Sequence, residues 1–276
     1  MALGEKNASS IKACVAFARE NARSIREVVS LEFWETLNEL YLWLSSASGR
    51  HDFAINRYGF YRRIREAVQL CLGVMRNTML HDAAFNFISL GLLLERCGQT
   101  ARILDVQHHI LTQLATHDVV ETALWLSLLR ACSGHEPFMK SNRGALVSPI
   151  AVASFLVLEP AFPRSVRYCL KHAYDRLVAV RPQGATDLPG GATLERLRVL
   201  EQWLAVQTPA GLAPSDIHDL LTHIVDEAAA ICDGIATELF SVQRVQSQSQ
   251  SQSGDGQSQS QSQSQTSGSQ SQSQRR

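Results

Sequence analysis

The chain has 276 residues, of which 45% are hydrophobic and 19% charged, and its 26 basic and 26 acidic side chains give a formal net charge of zero. A chain of this length can form one large domain or two small ones. The balanced charge argues against electrostatic nucleic-acid binding, which normally needs a basic surface, and the longest mainly apolar run, residues 150–158, is too short to cross a membrane.

The first residues and the cysteines favour a cytoplasmic protein. The start, MALGEKNASS, has neither the basic start nor the apolar stretch of a secretory signal. The six cysteines are scattered without a C-x-x-C pair, mostly in apolar helical segments, which favours reduced core thiols. They are Cys14, Cys71, Cys97, Cys132, Cys169 and Cys232.

The N-terminal third shows helical periodicity. Apolar residues recur every three or four positions between Ile11 and Val29, which predicts one amphipathic helix that Ser9 or Ser10 can cap. A second helix is predicted at 31–45 and a third at 58–72, with residues 46–52 as a loop between them.

The remaining chain continues the helical pattern. Helices are predicted at 82–113 and at 118–132, where Ser133 and Gly134 supply a stop. Ser148 as a cap and Pro149 at the first helical position mark the next helix. A further helix runs to residue 180, the segment RPQGATDLPGGA breaks the chain, and helices at 193–206 and 215–242 complete the set. No strand alternation competes, so we predict an all-α multi-helix bundle with long antiparallel helices.

The C-terminal residues have a different composition. Residues 246–276 are mostly Gln and Ser and offer no apolar side chain to bury, which predicts a disordered tail. The sequence therefore divides into a helical domain at 1–245 and a low-complexity tail at 246–276.

Two charged stripes are candidates for a site. On the long helix, Glu95, Arg102, Asp105 and His109 share one face, and Asp105 is spaced to pair with Arg102 or with His109. Part of this stripe is expected to face other helices, because apolar residues surround it.

The first helix carries a matching set of arginines. Arg19, Arg23 and Arg26 follow one another at helical spacing, and Glu27 is placed to pair with Arg23. The two stripes can form an interhelical network of ion pairs, which we favour, or the arginines can grip an anionic ligand.

The other sequence patterns give weaker evidence for a metal or catalytic site. Asp219, His223 and Glu227 recur at i, i+4 in the manner of a carboxylate–histidine metal set, but such helices are mostly solvated faces. The sequence contains no Gly-rich phosphate loop, no G-x-S-x-G and no H-E-x-x-H. We therefore predict neither a metal site nor a cofactor.

Three separated segments resemble one family in the same order. SIKACVAFARENARSIREVVSLEFWETLNELYL resembles the shared ARENAR segment of bacterial alpha-E domain proteins, an all-helical family named for its Glu-Arg motif. MLHDAAFNFISLGLLLERCGQTARILDV resembles that family's Glu-Arg helix, and SPIAVASFLVLEPAFPRSVRYCL resembles its later Phe-Pro-Arg-Ser block. The resemblance covers residues 7–243.

The resemblance implies a set of candidate residues. The polar or ligand cluster consists of Arg23, Arg26, Glu27, His81, Glu95, Arg96, Arg102 and Asp105. The other motif positions, taken as structural, include Asn21, Trp34, Glu35, Asn38 and Thr100, with Asp82, Pro163, Arg164 and Ser165 also matching.

The chain departs from the family pattern at Phe85 and Asn86, at Leu92, at Gly98 and at its start. Gly98 stands where the family usually has an acid, which would weaken a site that needs that acid. Family members also begin with a further helical segment upstream of Met1, so the resemblance implies either that the start is assigned too far downstream or that the chain is an N-terminally shortened form. Such a loss would leave an apolar groove open to a partner helix or to a second copy of the chain.

The resemblance implies one kind of function and leaves another open. Alpha-E proteins tend to be encoded beside ATP-grasp-type and transglutaminase-like proteins, which implies a non-catalytic accessory subunit of a system that makes amide or peptide bonds. We favour this function, with no nucleic-acid or membrane partner. The alternative is an enzyme or small-molecule binder in which arginines of the cluster hold an anionic substrate while Glu95, Asp105 or His81 moves protons.

Overall fold

The computed structural model describes residues 2–4, 7–113, 118–142, 146–182, 184–212 and 217–240. In these ranges all regular elements are helical: eleven α-helices, one 3-10 helix and one π-helix, without a β-strand. The all-α prediction is thereby confirmed. The tail predicted at 246–276 lies outside the described residues. By contacts, the chain divides into two compact units, Met1–Asn86 and Phe87–Arg276.

The first unit contains four complete helices, each with a side-chain cap. They are α1 (Ile11–Ser24), α2 (Leu31–Ser45), α3 (Ala47–Ile55) and α4 (Arg57–Thr78). Ser10, Ser30, Ser46 and Asn56 accept a hydrogen bond from a backbone N–H in the first turn of the helix that follows. The buried core includes Leu40, Leu44, Phe60 and Ile64.

Three assignments in this unit differ from the predictions, and one of them is the end of α4, which continues to Thr78 instead of stopping at residue 72. The first helix ends at Ser24 instead of continuing to Val29, and the Val28 N–H closes a turn on the Ile25 carbonyl at 2.9 Å. The β-branched pair Val28 and Val29 has low helix propensity, and the Ser30 cap starts a new helix directly afterwards. The predicted loop at 46–52 is wrong: nearly all of it belongs to α3, which Ser46 caps.

The second unit contains most of the long helix α5 (Ala83–Gln113) and six further α-helices. These are α6 (Asp118–Ala131), α7 (His135–Ser141), α8 (Pro149–Leu158), α9 (Val166–Val180), α10 (Gly191–Ala205) and α11 (Ile217–Gly234). A 3-10 helix at Pro209–Gly211 precedes α11, and a π-helix at Ile235–Phe240 follows it.

The core of the second unit is formed around α8 and α9. Both helices bury nearly whole faces, including Leu156, Val157, Leu170 and Leu177. The predicted start of α8 is confirmed, because Ser148 accepts from the Ala151 N–H and Pro149 is the first helical residue. None of the described helices has both the length and the apolar character that a bilayer span requires.

Candidate functional site

The arginine of the Glu-Arg motif on α5 contacts the turn that precedes α9. Arg96 donates from Nη1 to the Pro163 carbonyl at 3.2 Å, and Thr100 donates from Oγ1 to the Arg164 carbonyl at 2.9 Å. Arg96 and Thr100 lie one turn apart on α5, so they reach two consecutive carbonyls of the same turn. The Glu-Arg helix and the Phe-Pro-Arg-Ser block, which are far apart in the sequence, therefore contact each other in the fold.

The turn is closed by Ser165, which is fully buried. Its Oγ donates to the Glu159 carbonyl at 2.5 Å and accepts from the Tyr168 N–H at 3.1 Å, which caps α9. Burial lowers the pKa of Arg96, although a guanidinium stays protonated in proteins. The arrangement fixes the connection between α8 and α9 against α5.

Glu95 and Arg102 lie on the exposed side of α5. Their side chains are 68% and 47% exposed, and Arg102 Nη2 lies 3.7 Å from Glu95 Oε1. Glu95 also accepts from Gln99 Nε2 at 2.7 Å. The guanidinium of Arg102 lies over Gly98, where an added Cβ would meet Nη2 at 3.2 Å. A pair this exposed contributes little to stability.

Asp105 joins α5 to α11. His218 Nδ1 lies 2.7 Å from Asp105 Oδ1, and this bond raises the pKa of His218. The spacing along α5 suggested Arg102 or His109 as the partner of Asp105. The structure brings in His218 instead, from far along the chain.

In the first unit, the guanidinium of Arg19 contacts four side chains of α1 and α2. Its Nε donates to Asn38 Oδ1 at 2.9 Å, and its guanidinium lies 4.7 Å from the ring centre of Tyr41 and 5.5 Å from that of Trp34. It also pairs with Glu20. This cation–π arrangement joins α1 to α2, and it gives structural roles to two of the motif residues, Trp34 and Asn38.

The neighbouring arginines have other partners than predicted. Arg23 donates from Nε to Glu20 Oε2 at 2.8 Å, rather than pairing with Glu27, and this bond lowers the pKa of Glu20. Arg26 lies 5.7 Å from the Trp34 ring centre and donates to the Val29 carbonyl at 3.3 Å. Glu27 is exposed in the turn after α1, because the helix that would have aligned it with Arg23 has ended.

Three motif positions serve helix ends or face solvent. The Asn21 carbonyl accepts from the Ser24 hydroxyl near the end of α1, and Glu35 is exposed on α2. Asp82 Oδ1 accepts from the Phe85 N–H at 3.2 Å at the start of α5. The ion-pair network predicted between α1 and α5 stays a prediction.

His81 belongs to the same helix start as Asp82. Its ring stacks on Phe85 with centroids 4.0 Å apart, and Nε2 lies 2.9 Å from the Arg76 carbonyl. An exposed imidazole held in this way orients the chain before α5.

Two members of the Asp-His-Glu pattern of α11, His223 and Glu227, contact side chains of α10. Glu227 accepts two bonds from Arg196 of α10, at 2.7 and 2.9 Å, and this contact lowers the pKa of Glu227. His223 packs edge-on against Trp203 with ring centroids 4.7 Å apart. Within the described residues, no group of three or more His, Cys, Asp or Glu side chains could hold a metal ion.

The sequence interpretation missed Arg181, the residue that follows α9. Arg181 is 9% exposed, and it donates to the carbonyls of Ala185, Leu188 and Pro189 at 2.8–3.1 Å. The available signal was an arginine directly before a segment rich in Pro and Gly, which needs donors for its carbonyls.

The comparisons with known proteins gave one match. The model of a family named Alpha-E, described as a predicted alpha-helical domain with a conserved ER motif, matches residues 1–240. No curated protein and no solved structure matches this sequence.

Proposed function

Because the chain belongs to the Alpha-E family of alpha-helical domains with a conserved ER motif, we propose that it is a non-catalytic accessory subunit of a system that makes amide or peptide bonds. Its partner in this proposal is an ATP-grasp-type or transglutaminase-like protein, the neighbour that the family resemblance implies. The chain positions or regulates the partner, and the partner carries out the bond-forming step.

The observation that carries the proposal is the structural contact made by Arg96, the arginine of the ER motif. Arg96 is hydrogen-bonded to the Pro163 carbonyl, and Thr100 supports the next carbonyl of the same turn. This bond commits one of the five N–H donors of the guanidinium to the backbone and holds the side chain against the turn. The motif that defines the family thus acts as a structural clamp in this chain, as expected of a scaffold.

The thiols support the same function. A catalytic cysteine needs a lowered pKa, because the thiolate is the nucleophile. Burial raises the pKa of Cys71 to about 11 and that of Cys169 to about 12. Burial also raises the pKa of Cys97, Cys132 and Cys232. The four buried thiols among them, those of Cys71, Cys97, Cys132 and Cys169, are therefore set up as packing residues.

Co-expression of the tagged chain with the ATP-grasp-type or transglutaminase-like protein of the same organism tests the proposal. We expect the two to co-elute in size-exclusion chromatography, and amide product formed by the partner to increase when the chain is present. The chain alone should form no product. Product formation by the chain alone, or two proteins that neither associate nor affect each other's activity, refutes the proposal.

One observation favours the alternative of a self-contained anion binder. Arg102 is half exposed and its contact with Glu95 is long, at 3.7 Å, so a ligand could recruit its guanidinium at little cost. A thermal-shift screen with nucleotides, amino acids and short peptides separates the two functions. A ligand that raises the melting temperature of the wild type but not of Arg102→Ala would replace the accessory role with this one.

A further inference from the structure

A cavity of about 400 Å³ lies beside α8 in the second unit. Its volume is in the range of small-molecule sites, which combine apolar walls with a few polar groups. The apolar lining includes Ile150, Phe155 and Pro209, and the polar lining includes Asn142, Ser154 and Glu159.

The apolar wall is held rigidly from behind. Phe155 is 4% exposed, it stacks on Phe162 with centroids 4.8 Å apart, and it meets Phe138 edge-on at 5.5 Å. A wall that is already ordered does not have to pay conformational entropy when a ligand binds.

The polar lining is rich in acceptors. Glu159 uses Oε1 to accept from the Ala161 N–H at 3.0 Å, which orients the carboxylate and leaves Oε2 without a donor among the described residues. Asn142 spends its Nδ2 on the Phe138 carbonyl at 3.2 Å, so its Oδ1 can accept. Ser148 is already used as the cap of α8.

The charge of the lining has one sign. Glu159 is the one ionisable side chain among the described lining residues. A ligand that suits this lining must supply hydrogen-bond donors and a positive charge, and an ammonium group supplies three donors and one charge.

We propose that this cavity binds a primary ammonium group carried on a short aliphatic body. The ammonium donates to the Glu159 carboxylate and to neighbouring oxygen acceptors, and the aliphatic part lies against Phe155. A small free amine and the amino terminus of a peptide share this chemistry. The site does not rest on the accessory role, because it belongs to this chain alone.

The test is isothermal titration of the full chain with three probes. Leucinamide carries the ammonium and the aliphatic body, 4-methylpentanamide is the same skeleton without the amine, and Leu-Gly-Gly presents the group as a peptide terminus. We expect leucinamide to bind about tenfold more tightly than 4-methylpentanamide, as for one charge-assisted hydrogen bond. Tighter binding of Leu-Gly-Gly assigns the site to peptide termini, and equal or weaker binding assigns it to small amines.

Variants locate the binding in the cavity. Glu159→Gln keeps an oxygen for the Ala161 N–H but removes the charge, and should weaken leucinamide binding about tenfold. Ser154→Leu fills the cavity and should abolish binding. The matched control is Glu136→Gln on α7, whose carboxylate is 89% exposed and outside the lining; it should bind like the wild type.

Three outcomes would overturn the proposal. They are no binding of leucinamide or Leu-Gly-Gly, equal binding of 4-methylpentanamide, and unchanged affinity in a Glu159→Gln chain that melts like the wild type. Co-purification with a bond-forming partner would be unaffected by any of these results, so the two proposals can fail independently.

Discussion

Removing the hydrogen bond from Thr100 to the Arg164 carbonyl tests whether α5, the helix with the ER motif, holds the turn before α9 in place. Thr100→Val removes the hydroxyl while keeping the side-chain shape, and threonine and valine have similar helix propensities. Thr100 is 5% exposed and its bond is 2.9 Å long. Its loss leaves the Arg164 carbonyl without this donor.

The expected cost follows from the burial of the two partners. Leaving a buried acceptor unsatisfied costs about 1–3 kcal/mol. Arg164 is only partly buried, so water can replace some of the lost bond, and we expect the lower half of that range, about 1–2 kcal/mol. For a domain of 150–250 residues each kcal/mol lowers the melting temperature by about 2–4 °C.

The assay is urea unfolding followed by circular dichroism, with hydrogen exchange of peptides covering residues 159–170. Thr100→Val should lower the free energy of unfolding and speed exchange in that segment. Thr237→Val is the control, because the Thr237 hydroxyl is exposed and donates to the Asp233 carbonyl, four residues earlier, at 2.9 Å. It should change stability by less than about 0.5 kcal/mol. Equal effects of the two substitutions would refute the clamp.

Three further predictions concern other parts of the chain. Gly98→Ala should stabilise the protein by about 0.5–1 kcal/mol, because alanine favours the helix interior and the half-exposed Arg102 can move from the Cβ contact at 3.2 Å; a lower melting temperature would show that this guanidinium is fixed in place. The bond to Asp105 raises the folded-state pKa of His218 above its usual value of 6.5. The stabilisation is therefore complete below pH 6.5 and is lost as pH rises through the folded-state pKa; melting curves of His218→Gln should lack this pH dependence, and an identical dependence in the variant would contradict it. In native protein, maleimide labelling followed by mass spectrometry should modify the exposed thiols first, while labelling of the buried thiols should require denaturant; the exposed thiols are those of Cys14 and Cys232.

Local signals in the sequence predicted most helix positions. The long helix predicted at 82–113 is observed as Ala83–Gln113, and the Ser-Pro signal marks the first residue of α8. Both cases depend on neighbours in sequence, either apolar periodicity over many residues or a cap. Short helices gave weaker signals, and α7 with its seven residues was missed.

The helix α3 shows what local signals leave out. Its first residues, ASGRHD, have no apolar stripe. The helix forms where Gly49 approaches α2 so closely that a Cβ would lie 2.3 Å from the Trp43 carbonyl oxygen. Because this contact joins two helices, the sequence of residues 46–52 alone predicts a loop.

The sequence identified residues of the candidate site but not the residues that they contact. Family resemblance singled out Arg96, Thr100 and Pro163, yet their contacts join positions 64 and 67 residues apart. Helical spacing offers only partners within four residues, so it suggested His109 where the fold supplies His218. Ion pairs between elements depend on how the helices pack, which one sequence does not show.

The anchoring of the loop after α9 has a consequence for sequence change. Among the described residues of this loop, the three acceptors that Arg181 binds are main-chain oxygens, so the contact does not depend on the side chains at Ala185 or Leu188. The loop can therefore change its sequence while keeping its path, provided that positions 184 and 190 retain glycines for their φ of 78° and 88°. It is a segment into which a short tag or recognition sequence could be substituted while α9 and α10 stay in place.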